Sequence, residues 1–178
     1  MNPSNTTALE MPSAQALYER LRDGVAALIA GLARDQVHLV GIHSGGAWLA
    51  QRLQQDLGLT TEMGTLDISF YRDDFDRIGL HAQVQPSDIS FPVAERHLIL
   101  VDDVLFTGRT IRAAMNELFD YGRPASIKLV VLIDRGGRQL PVCADFAAWQ
   151  TSDPSVGSFV LARSDTGEFS LHVETETP

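Results

Sequence analysis

The segment at 97–110, HLILVDDVLFTGRT, limits the fold of this chain more than any other stretch. Leu98, Ile99, Leu100 and Val101 form a continuous apolar run, the pattern of a strand buried on both faces of a parallel sheet. Asp102 and Asp103 then place two negative charges where that strand leaves the sheet, and charge at such a depth needs a partner. Thr107, Gly108, Arg109 and Thr110 follow with hydroxyls, a permissive backbone and the N–H groups of a helix start, which are the ingredients of an anion site. Adjacent carboxylates that accept from vicinal hydroxyls, beside a loop that holds a phosphate, suit a sugar phosphate. The same residues also admit a plainer reading, in which the aspartates only end the strand and Thr110 only caps a helix.

The rest of the chain repeats an α/β rhythm. Residues 1–12 read as a flexible N-terminal segment and 13–178 as one domain. Ser13 is placed to cap a helix running to about Leu32, with Leu17, Leu21, Val25, Leu28 and Leu32 at helical spacing. Residues 36–42 read as a buried strand, His43-Ser44-Gly45-Gly46 as a tight turn, and 47–57 as a helix. A second strand is expected over 64–71, followed by a polar, mobile excursion over 72–95. After the strand at 97–103 come a helix at 110–121, a stop at Tyr121-Gly122-Arg123-Pro124, a strand at 126–133, and weaker strand signals at 158–162 and 168–173. The alternation predicts a mostly parallel twisted sheet flanked by helices.

Composition narrows the function classes. With 178 residues, 44% of them hydrophobic, the chain supports one substantial core. A formal charge of -9 argues against a broad basic face for nucleic acid. The single cysteine, Cys143, has no internal partner and no local zinc spacing, so it is expected to be a buried thiol in a reducing compartment. Nothing in the first residues resembles a secretory leader and no segment reads as a membrane span, so a cytoplasmic location is expected. There is no GxxxxGK[ST] loop, no GxGxxG turn after a strand, no internal repeat and no low-complexity tract.

In an open α/β sheet, ligands collect beyond the carboxyl ends of the strands. Four segments qualify: the turn at 43–46, the acidic strand end with its loop at 102–110, the polar excursion after 71, and Asp134-Arg135-Gly136-Gly137-Arg138. Within them, VDDVLFTGRT resembles the phosphoribosyl-pyrophosphate signature of type I phosphoribosyltransferases. Together with DISFYRDDF at 67–75 and FDYGRPASIKLVVLIDRGGRQLPVCAD at 119–145, it resembles the PyrR family of pyrimidine-operon regulators with uracil phosphoribosyltransferase activity, over roughly residues 13–175.

The resemblance implies a type I phosphoribosyltransferase fold with a mobile hood segment, and a reaction in which uracil displaces pyrophosphate from phosphoribosyl pyrophosphate to form UMP. It implies that Asp102 and Asp103 engage the ribose hydroxyls and touch magnesium only indirectly or through substrate. It implies that Leu105, Phe106, Thr107, Gly108, Arg109 and Thr110 wrap the 5'-phosphate. His43, Ser44, Gly45, Gly46 and Arg72 would then face pyrophosphate, with Asp73 and Asp74 helping through metal or water, and Asp134, Arg135, Gly136 and Arg138 would form the base neighbourhood. Arg72, Asp102 and Asp103 are the residues expected to serve catalysis. An aromatic Phe106, where purine enzymes of the superfamily carry an acid, favours a pyrimidine. The residues themselves leave a charged solvated turn at 72–74 and an Asp134–Arg135 surface pair as alternatives.

The chain departs from the resembled pattern at 43–46. Relatives with strong transferase activity read GIKTRG there, whereas this chain reads GIHSGG, so a positive group that would meet pyrophosphate is missing. Slow turnover is expected, and a nucleotide-sensing regulator without efficient catalysis is an alternative. A third reading is an RNA-binding transcription attenuator. It is thinly supported, because the first helix offers only Arg20 and Arg22, residues 144–160 offer no Lys or Arg, and Tyr18 and Trp149 are the aromatics available for stacking. The resemblance further implies a homo-oligomer, a dimer or larger.

Overall fold

The computed structural model describes residues 11–68, 86–152 and 157–174. Chain order is α1 (Ala14–Ile29), a short 3-10 turn (Arg34–Gln36), β1 (Val37–Ile42), α2 (Gly45–Asp56), β2 (Gly64–Leu66), β3 (His97–Leu105), α3 (Arg109–Asp120), β4 (Ser126–Asp134), β5 (Phe146–Gln150), β6 (Ser158–Arg163) and β7 (Phe169–Glu174). The first five strands make one sheet in the order β2-β1-β3-β4-β5, every pairing parallel. β6 and β7 pair antiparallel as a separate hairpin. The type I phosphoribosyltransferase-like α/β architecture is therefore present, with the sheet between helical layers.

Alternation along β3 sorts the core into two faces. Ile99 and Val101 belong to one cluster with Leu17, Leu21, Leu49 and Leu53 of α1 and α2. Leu98 and Leu100 belong to the other, with Ile111, Ala114 and Leu118 of α3. Both faces are buried, which is why the sequence shows an unbroken apolar run rather than an alternating one. The hairpin covers the α1–α2 side: Phe159 and Leu161 join the first cluster, and Trp149 packs edge-on against Phe159 at 5.8 Å between ring centroids.

Several expected boundaries move. Ser13 caps α1, its hydroxyl accepting from the Ala16 amide at 3.2 Å, but α1 ends at Ile29, short of Leu32. Gly45 and Gly46 are not a turn but the first residues of α2. β3 runs two residues past Asp103, because parallel pairing with β4 continues to Leu105 opposite Asp134. β5 has no counterpart in the sequence reading. Of the excursion expected over 72–95, residues 72–85 lie outside the described residues. Residues 86–95 run along the surface, tied down by an antiparallel bridge between Thr65 and Asp88 and by the buried side chains of Phe91 and Val93. Cys143 is exposed rather than buried, since it sits on the connection between β4 and β5. Among the described residues no helix is long and apolar enough to cross a membrane.

Candidate functional site

The strand order reverses direction between β1 and β3, so the loops leaving those two strands diverge to opposite sides and leave a crevice at their carboxyl ends. Register fixes what meets there. Gly41 lies opposite Val101, so β1 ends beside Asp102, while Leu105 opposite Asp134 and Asp134 opposite Gln150 place the ends of β3, β4 and β5 in one row.

On the β1 side, the His43–Ser44 peptide is cis and α2 begins at once, with Ser44 at the N-cap making no side-chain capping bond. A helix start leaves its first amides without intrahelical acceptors, and here they belong to Gly45, Gly46 and Ala47. Asp103 approaches this helix end. A Cβ built on Gly45 would lie 2.3 Å from Asp103 Oδ2 and 2.9 Å from Asp103 Cβ. The absent side chain at 45 therefore makes room for the Asp103 carboxylate, and the positive end of α2 faces that carboxylate.

Asp102 and Asp103 stay within β3, so their side chains point to opposite faces. Asp102 is 5% exposed, and its Oδ1 accepts from the Asp103 amide at 3.0 Å. Asp103 is half-buried, and its Oδ1 accepts from the Val104 amide at 2.9 Å. Among the described residues no three His, Cys, Asp or Glu side chains gather around a common point. Asp103, the more open of the two, offers the hard carboxylate oxygen that a substrate-held magnesium would take.

The loop after β3 is short. Gly108 has φ 93° and is the N-cap of α3; its left-handed backbone and the nearness of Val142, 3.2 Å from where a Cβ would stand, both select glycine. Thr107 is buried, its Oγ1 accepting from the Arg109 amide at 3.3 Å and its carbonyl from the amides of Gln139 and Leu140. The start of α3 thus faces the crevice with the partial positive charge that favours a phosphate.

The loop after β4 locks onto this one. The Arg135 amide donates to Leu105 O at 3.0 Å, the Arg135 guanidinium stacks over the Phe106 ring at 4.1 Å, and Arg109 donates through Nε and Nη2 to Gln139 Oε1. Arg138 donates to the carbonyls of Phe106, Gly136 and Val142 and to the Asp134 carboxylate. Gln150, Thr151 and Ser152, at the end of β5, join Asp134, Gly136, Gly137 and Arg138 around a cavity of about 390 Å³. Those three residues were not singled out in the sequence, where the only signal is their place after the apolar Phe146–Trp149 run.

The structure brings together the expected residues at 43–46, 102–110 and 134–138. Arg72, Asp73 and Asp74 lie outside the described residues. Tyr18 is 1% exposed and donates to Asp56 at 2.6 Å, and Trp149 is half-buried against Phe159, so both serve the core rather than a stacking surface. Of the two basic residues in α1, Arg22 is paired with Asp23 at 2.8 Å.

Comparison with known proteins is consistent with this geometry. A family model described as "Phosphoribosyl transferase domain" matches residues 13–160. The "Bifunctional protein PyrR" of Nitrosococcus oceani is 54% identical over 132 residues, covering 73% of this chain and 75% of that protein. The "Bifunctional protein PyrR" of Ralstonia nicotianae is 47% identical over 165 residues, covering 93% and 94%. Among solved structures, a hypoxanthine-guanine phosphoribosyltransferase from Bacillus anthracis superposes with TM-score 0.62 at 16% identity, over 80% of this chain and 82% of that one. At that identity the likeness speaks for the fold alone.

Proposed function

The chain belongs to the PyrR family of phosphoribosyl transferases, and from that premise we propose that it forms UMP and pyrophosphate from uracil and phosphoribosyl pyrophosphate, with slow turnover, in the service of pyrimidine regulation. The observation that carries the reading is the row of strand ends at the β1/β3 crevice, which sets Asp102 and Asp103 between two helix starts. The ribose 5-phosphate lies along 102–110, the pyrophosphate toward 43–46, and the base toward the cavity at 134–138 and 150–152.

In this reading the residues act by holding and orienting. Asp102 and Asp103 accept from the ribose hydroxyls, and the α3 start binds the 5'-phosphate, so that C1 of the sugar meets the base nitrogen in one geometry. Asp103 would help to hold a substrate-borne magnesium, which when bound would supply charge neutralisation at the departing pyrophosphate. The carboxylates stabilise the positive charge that grows on the sugar ring as that bond breaks. Gly45 brings no cation to the leaving group, leaving the amides of 45–47 to face it.

Release of pyrophosphate from phosphoribosyl pyrophosphate and magnesium, measured with and without uracil, tests this directly. A slow, saturable, uracil-dependent signal is expected. No such signal at high protein concentration would overturn the transferase reading and favour the second one, a uridine-nucleotide sensor, which Gly45 beside Asp103 already supports. The RNA attenuator is weaker still, since the Arg22–Asp23 pair, the burial of Tyr18 and the packing of half-buried Trp149 on Phe159 engage groups it would use.

A further inference from the structure

Three arginines stand between the phosphate loop and the base loop, and the contacts of one of them tie specific backbone atoms of the two loops together. Arg109 reaches Gln139 and Arg135 lies flat on Phe106, contacts that pack the loops side by side. Arg138 instead joins acceptors on both: Nη1 donates to Phe106 O at 2.6 Å in the phosphate loop and to Gly136 O at 3.2 Å in the base loop. Its Nη2 donates to the Asp134 carboxylate, and its Nε to Val142 O at 3.0 Å. The side chain is 23% exposed and Asp134 is 15% exposed, so water is a poor substitute for these partners.

A guanidinium carries five donors in a rigid plane, and four are committed here to loop acceptors. Displacing the acceptors of one loop therefore turns the plane that fixes the other. Phe106 O lies two residues before Gly108, whose backbone starts α3. Asp134 in turn accepts from the Gly136 amide at 3.0 Å through Oδ1 and from the Thr151 amide at 2.9 Å through its carbonyl, so the wall of the base cavity hangs on the same residue.

We propose that Arg138 is a positioning residue that makes occupation of the base cavity and of the 5'-phosphate loop interdependent. The proposal deepens the reading of the pocket given above and rests on it. It assigns Arg138 to the coupling of two subsites, in place of the direct base contact that its position in the sequence suggests.

The test measures the affinity for uracil by calorimetry, with and without saturating ribose 5-phosphate, in the wild type and in Arg138→Ala, Arg138→Lys and Asp134→Asn. In the wild type, ribose 5-phosphate tightens uracil by about tenfold, a usual size for coupled sites. In Arg138→Ala that ratio falls to about one. Arg138→Lys loses it as well, because a single ammonium cannot make four directed bonds in one plane. Asp134→Asn keeps part of it.

A merely structural role would reduce the fraction of competent protein and leave the ratio unchanged. If Arg138→Ala does not fold, Arg138→Lys and Asp134→Asn carry the comparison. A wild-type ratio of one, or variant ratios equal to that of the wild type, overturns the coupling while leaving the pocket in place. A wild type that binds neither ribose 5-phosphate nor UMP overturns the pocket itself, and the coupling with it.

Discussion

Gly45 and Asp103 occupy each other's space: a Cβ on the glycine would fall 2.3 Å from a carboxylate oxygen of the aspartate. The missing arginine in this loop is thus not an isolated loss, because a side chain at 45 would enter the space of Asp103, a residue of the proposed sugar site. Gly45→Arg is expected to weaken, not restore, binding of phosphoribosyl pyrophosphate with magnesium. The milder Gly45→Ala isolates the cause. Alanine gains up to ~1 kcal/mol of helix propensity, but overpacking costs ~1–3 kcal/mol, so displacement of Asp103 dominates. Loss of one charge-assisted contact corresponds to roughly tenfold to a hundredfold in affinity. A calorimetric titration reads it, and stronger binding by either variant would show that Asp103 tolerates a neighbour.

Gly108→Ala addresses the other helix start. Its φ of 93° disfavours any L residue, and Val142 stands 3.2 Å from the added methyl. The left-handed backbone alone costs about 1–2 kcal/mol, so a drop in the urea midpoint is expected together with weaker binding of ribose 5-phosphate. Unchanged stability would place the strain elsewhere.

Tyr18 gives a pH signature remote from the site. Burial, then the hydrogen bond and the charge of Asp56, hold its phenol well above the ordinary value of 10.0. A raised folded value means that the folded state keeps the proton longer. This contribution is complete below pH 10 and disappears as pH rises through the folded value. Tyr18→Phe should lose about 1 kcal/mol at neutral pH and show a shallower alkaline decline in stability. Identical alkaline slopes for the two proteins would remove Tyr18 from that transition.

The β3–α3 connection was legible in the sequence because its parts are contiguous: an apolar run, two aspartates and a Thr-Gly-Arg-Thr turn all fall within fourteen residues, 97–110. The base side was less so. β5 is a five-residue edge strand with only Ala148 buried, too short for periodicity to reveal it, and Gln150 reaches Asp134 only through long-range pairing. Gly45 and Gly46 read as a turn because glycine is a poor helix former, yet tertiary contact with β3 overrides that preference. Arg138 enters the base neighbourhood through the family resemblance, whereas the carbonyls of Phe106, Gly136 and Val142 that receive its donors are brought round it only by the fold.

The claim that ribose 5-phosphate lies between Asp102 and Thr110 is tested most directly by titrating UMP into the wild type and Asp102→Asn. Saturable one-site binding is expected, weakened about tenfold or more by the substitution, because a buried acceptor becomes an amide with half its accepting capacity. Equal affinities for UMP in the two proteins, or no binding by the wild type, would contradict the assignment.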